Sequence, residues 1–108
     1  MMYVGNAFSL QMLGADINIG TLNFVEVDKA TFDELKADAI SCVGHADTAA
    51  ILGVPCRRTN VTLNMGDELL VAQLQGGRLP EGSTTLPEGF SFKYYHLQLF
   101  KYQEVESL

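Results

Sequence analysis

The stretch RRTNVTLNMGDELLVAQLQ, residues 57–75, decides how the chain is organised. It reads as two β-rich runs, about 58–64 and 68–75, with NMGD between them as a tight turn, which makes a hairpin. Toward the C-terminus, GGRLPEGSTTLPEG holds four of the ten glycines and two of the three prolines and predicts a loop over 76–89. Loops of that size inside a compact domain are usually functional or mobile. FSFKYYHLQLFKY then alternates, with Phe90, Phe92, Tyr94, His96, Gln98 and Phe100 on one parity, and predicts a long final strand. Toward the N-terminus, Gly53 and Pro55 stop a helix that begins after Gly44. ATFDELKADAISCV has Thr31 three residues before Glu34, a capping-box pattern, and puts Phe32, Leu35, Ala39 and Ile40 on one side of a second helix. TLNFVEVDK alternates and predicts a strand at about 21–28. MYVG is a short strand running into NAFSLQML, where Phe8, Met12 and Leu13 have helical spacing behind an Asn6 or Ser9 cap. The sum is an α/β (α+β) fold, one domain over residues 1–108, with a mixed sheet of about five strands flanked by helices.

Composition narrows the function. A 108-residue chain with 47% hydrophobic residues buries one continuous core and is too apolar to be disordered. No segment approaches the roughly 18 apolar residues of a membrane span, and MMYVGNAFSLQML lacks the basic start of a signal peptide. A cytoplasmic protein with no membrane partner is expected. The net charge of −6 argues against a general nucleic-acid binder, so no DNA partner is expected either. The distribution of charge carries more than the sum. Residues 1–54 hold two lysines against seven acids, whereas Arg57, Arg58 and Arg78 fall in 55–82 opposite Asp67, Glu68 and Glu81. That pattern suits a local anion site. Cys42 and Cys56 have neither CxxC spacing nor a companion histidine pair, so each is expected as a small buried residue. A phosphate loop, a dinucleotide GxGxxG, a paired-histidine metal motif and a GxSxG elbow are all missing, and neither metal nor cofactor is expected.

Four short stretches carry the remaining chemistry. In VGHADT, His45 stands at a helix start, beside unpaired backbone N–H groups that favour an anion. Read alone, a histidine there is more often a capping or core residue than a working group. RLPEG supplies Arg78, which can grip phosphate through two N–H donors, and Glu81, which can orient a histidine; its plain alternative is a solvated turn. RRT starts a strand on which Arg58 can face a ligand while Arg57 faces solvent. NAFSLQML offers Asn6, Ser9 and Gln11 at a strand end, the usual ligand position in α/β folds. His96, alternating with apolar and aromatic residues, reads as structural. One histidine, one carboxylate and two or three arginines suit phosphoryl chemistry in which the substrate brings its own nucleophile, as RNA does through its 2′-OH.

YVGNAFSLQML, VGHADT, TNVTLNMGDELLVAQL and RLPEG, in this order and spacing, resemble the small viral anti-CRISPR ring nucleases that act against type III CRISPR systems. The resemblance covers nearly the whole chain. It implies a homodimer that binds cyclic tetra-adenylate across its interface. Cutting needs no metal: a ribose 2′-OH attacks the neighbouring phosphate and leaves linear di-adenylate ending in a 2′,3′-cyclic phosphate. His45 then matches the family's general acid. Arg78 matches the residue that stabilises phosphate charge, and Glu81 the one that supports the histidine. Asn6, Ala7, Phe8 and Ser9 match the segment lining the ligand pocket, with Gln11, Thr48 and Arg58 as further ligand contacts. Asp47 departs from the pattern, because the family often has serine there. Two other classes stay open: a non-catalytic cyclic oligoadenylate binder, and a dimeric interaction protein of a mobile element.

Overall fold

The computed structural model describes residues 1–101, and its sheet is built around Glu68–Gln75, strand β4. ELLVAQLQ buries both faces of this strand, with Leu70 and Ala72 on one side and Leu69 and Val71 on the other. Near-continuous apolar sequence is what a strand covered on both faces requires. Met2–Gly5, β1, runs parallel along one edge of β4, with Val4 opposite Leu70. Ser91–Phe100, β5, runs antiparallel along the other edge, with His96 opposite Leu70. Thr21–Val27, β2, closes one side of the sheet against β5, and the two residues Ile40–Ser41, β3, close the other against β1. The order is β2-β5-β4-β1-β3, a mixed five-stranded sheet in an α+β domain.

The expected strand at 58–64 is absent, so the hairpin with 68–75 does not form. β4 has two edges, and β1 and β5 fill both. The first run is left to cross the sheet face as a loop, with Leu63 packed on that face and bridged in parallel to Leu13 of the loop between β1 and β2. The turn itself is real: Asp67 N–H donates to Asn64 O at 3.0 Å, and Asn64 N–H donates to Asp67 Oδ2 at 2.8 Å. The fifth strand is β3 instead. Its residues had read as the end of a helix, but the chain unwinds after Lys36 because β-prone Ile40-Ser41-Cys42-Val43 can add to the open edge of β1.

That helix, α1, spans Lys29–Lys36 and is capped by Asp28, whose Oδ1 accepts from Thr31 N–H at 2.8 Å. Thr31 was the expected cap. Aspartate is the stronger N-cap of the two, and capping at Asp28 starts the helix three residues earlier, with Thr31 inside its first turn. The second helix, α2, spans Ala46–Leu52 with His45 as its N-cap and Gly53 at φ 71° as its left-handed C-cap. Lys36 ties the two helices, donating to Leu52 O at 2.7 Å and to Asp33 Oδ1 at 2.7 Å. Together they cover one sheet face, where Phe32, Val43, Ala49 and Leu52 pack with Val4, Leu70 and Ala72, and the Phe32 ring lies 4.6 Å from that of Tyr94. Loops cover the other face, with Phe8, Met12, Leu13, Ile17 and Leu63 packing on Leu69, Val71, Leu97 and Leu99. β2 is left exposed on both faces, including Leu22, Phe24 and Val25.

Candidate active site

Strands β1, β3 and β4 are parallel, so their carboxyl ends lie along one edge of the sheet, the position where α/β folds place their ligands. The chain leaves these ends as Asn6, as the Gly44–His45 link into α2, and as Gly76-Gly77-Arg78. Two of the exits meet in a cleft of about 630 Å³ lined by His45, Asp47, Thr48, Leu74, Arg78, Leu79 and Glu81. His45, Thr48, Arg78 and Glu81 therefore come together although the sequence separates them. The ring of His45 is exposed and makes no capping hydrogen bond. Arg78 and Glu81 are exposed as well, and among the described residues neither side chain takes part in an ion pair.

The loop carrying Arg78 and Glu81 is shaped by glycine. Gly76, at φ 110°, passes so close to Gly89 that a Cβ there would meet Gly89 O, which makes the neck of the 76–89 loop a close backbone crossing. Farther out, Asp47 Oδ2 accepts a hydrogen bond from Gly82 N–H at 2.8 Å and joins the loop to the first turn of α2. Neither contact is visible in the sequence. Asp47 stands out there only as an acid in the first turn of a helix, a position that does not point to a partner 35 residues on.

Arg58 is not among the cleft-lining residues. Its Nε donates to Gly44 O at 3.0 Å, so it braces the peptide before His45 and leaves its terminal nitrogens toward solvent. The expected anion site at the helix start is also weakened. α2 has seven residues and carries the Asp47 carboxylate in its first turn, so positive charge in the cleft comes from Arg78. Asn6, Ala7, Ser9 and Gln11 line a separate cleft of about 460 Å³ with Thr59, Asn60 and Thr62, and among the described residues share no cavity with His45. Those last polar residues belong to the 58–64 run, which forms a loop and not a strand. Phe8 faces a third, apolar cavity of about 450 Å³ with Leu22, Phe24 and Tyr95; Asn6 and Ala7 border it too. Of the cysteines, Cys42 is half-buried with its thiol pushed up by burial, whereas Cys56 is exposed, contrary to expectation. Its neighbours Pro55 and Arg57 follow the helix stop, where the chain runs along the surface.

Fold and site together define a small α+β protein whose polar cleft opens at the carboxyl ends of parallel strands. The family model described as STIV B116-like matches residues 2–96, and the chain belongs to that family. Among solved structures it is similar to B116 of Sulfolobus turreted icosahedral virus. The TM-score is 0.72 with 23% identity, covering 90% of this chain and 97% of that one, which shows a shared fold. No curated protein matches the chain. Among the described residues no helix is long and apolar enough to cross a membrane.

Proposed function

We propose that the protein is a metal-independent ring nuclease that opens cyclic tetra-adenylate and thereby switches off type III CRISPR signalling in a prokaryotic host cell. The observation that carries this reading is the shared cleft of His45, Thr48, Arg78 and Glu81. In the reaction, the 2′-oxygen of one ribose attacks the adjacent phosphorus and passes its proton to solvent water. The bond from phosphorus to the next 5′-oxygen breaks, and His45 gives a proton to that leaving oxygen. The product ends in a 2′,3′-cyclic phosphate on one side and a 5′-hydroxyl on the other. Arg78 offsets the charge that builds on the phosphate oxygens, and Glu81 sets the imidazole. Holding the attacking oxygen in line and protonating the leaving group are separate contributions, the second worth about 10²–10⁴-fold.

A homodimer completes the picture. A cleft of about 630 Å³ falls within the size range of sites for drug-sized ligands, and a four-nucleotide ring is larger. Two copies related by a twofold axis present two sets of the same residues to a ligand that is itself symmetric.

Incubation with cyclic tetra-adenylate in EDTA tests the reading. Linear di-adenylate with a 2′,3′-cyclic phosphate is the expected product. Ligand that is retained but intact would make the protein a binder, and ligand that is neither bound nor cut would leave only an interaction role. Sedimentation at several concentrations reads the dimer.

A further inference from the structure

The two walls of the cleft come from different parts of the chain. His45 and Thr48 sit at the start of α2, and Arg78 and Glu81 on the 76–89 loop. Among the described residues, one side-chain hydrogen bond joins them, from Gly82 N–H to Asp47 Oδ2. The rest of the turn is tied only to itself: Ser83 donates to Pro80 O through both its N–H, at 3.3 Å, and its hydroxyl, at 2.7 Å. Gly82 directly follows Glu81 and has φ 81°, a conformation that aims its N–H at α2 without a side-chain penalty.

We propose that Asp47 is a positioning residue of this site, clamping the Arg78–Glu81 turn against α2 so that both side chains face His45. The proposal rests on the ring-nuclease reading and names the residue that assembles its catalytic group. Reach singles out this side chain. The acceptor oxygen of aspartate lies two bonds beyond Cβ, whereas a serine hydroxyl lies one bond beyond and falls short of Gly82. The bond is also charge-assisted, the stronger kind of hydrogen bond to a backbone N–H.

Asp47→Ala, Asp47→Ser and Asp47→Asn test the clamp through solvent exchange of the Gly82 amide and kcat on cyclic tetra-adenylate, both read well below the unfolding transition. A hydrogen bond to a charged group corresponds to about tenfold or more in such measurements. Asp47→Ala and Asp47→Ser should therefore speed Gly82 exchange and lower kcat by about that factor. Asparagine keeps an acceptor at the same reach, so Asp47→Asn should restore both to within about threefold. A purely structural loss would not be rescued this way. Full kcat in Asp47→Ala, or an unchanged Gly82 amide, would overturn the clamp while leaving the ring-nuclease reading intact. Inactive wild type with Asp47-dependent Gly82 exchange would overturn that reading instead and uphold the tether.

Discussion

The two histidines occupy opposite ends of the central parallel strands, and their surroundings differ in kind. At the amino end of β4, His96 is 18% exposed and its Nε2 lies 2.8 Å from Glu68 Oε1, which also accepts from Gln98 Nε2 at 3.0 Å. At the carboxyl end, His45 is exposed, caps a helix only by its backbone, and shares a cleft with Arg78 and Glu81. Polar groups satisfied inside a protein stabilise its fold, and a convergent set left without internal partners is available to a ligand. The same residue type is thus structural at one end of the sheet and, in the proposed reaction, chemical at the other.

The sharpest way to break this contrast is to remove each histidine in turn. His45→Ala should lower kcat on cyclic tetra-adenylate by about 10²–10⁴-fold, while equilibrium dialysis shows ring binding within about threefold of wild type. His96→Gln should leave kcat within about twofold and cost about 1 kcal/mol of stability, the typical value of one hydrogen bond. Equal loss of cleavage in the two variants would erase the distinction between the ends.

A smaller effect is expected at the neck of the loop. Gly76→Ala places a Cβ against Gly89 O and 3.1 Å from Phe90 Cα, at a φ that side chains rarely adopt. Overpacking and backbone strain together should cost about 2–4 kcal/mol and displace Arg78 two residues on. Gly77→Ala shares the positive φ, at 114°, but its Cβ meets nothing within 4 Å. It should therefore cost only the strain, about 1–2 kcal/mol. Thermal unfolding of both compares the two terms, and equal losses would show that the crossing at Gly89 is not tight.

Local signals explain what was legible in the sequence. Alternation marked β2 and β5, the glycine and proline after Leu52 marked the end of α2, and the loop at 76–89 was marked by its glycines. Pairing is not local. Nothing in TNVTLNMGD says that both edges of β4 are already taken, so a good turn between two β-prone runs read as a hairpin. The two-residue β3 is too short for any period to appear. His45 and RLPEG were visible as separate candidates, and the resemblance assigned them complementary roles. Their meeting in one cleft depends on the parallel order of β1, β3 and β4, which residue spacing does not encode. Arg58 illustrates the limit: its strand context suggested a ligand contact, whereas the loop it occupies turns Nε onto Gly44 O.

The smallest expected effect tests the structural end of the comparison by pH. Donation from Gln98, and then from His96, holds the Glu68 carboxyl below its ordinary 4.5. A carboxyl lowered in the fold takes up its proton more readily in the unfolded chain. Its contribution is therefore present above about pH 4.5 and is lost as pH falls through the lower folded value. Glu68→Gln keeps an acceptor oxygen but removes the charge. Because Glu68 is 30% exposed, wild type should exceed this variant by at most about 1 kcal/mol near neutrality. The difference should close on acidification. Asp28, held low by the Thr31 amide, and Asp33, held low by Lys29 and Lys36, titrate in both proteins and cancel from it. His45→Gln should leave this acid-dependent difference where it was, since among the described residues the side-chain partners of Glu68 are His96 and Gln98, neither of which lines the cleft. A gap between wild type and Glu68→Gln that is constant from pH 6 to pH 3, about the span of the titration, would show that the amino end is held by shape and not by the charge of Glu68.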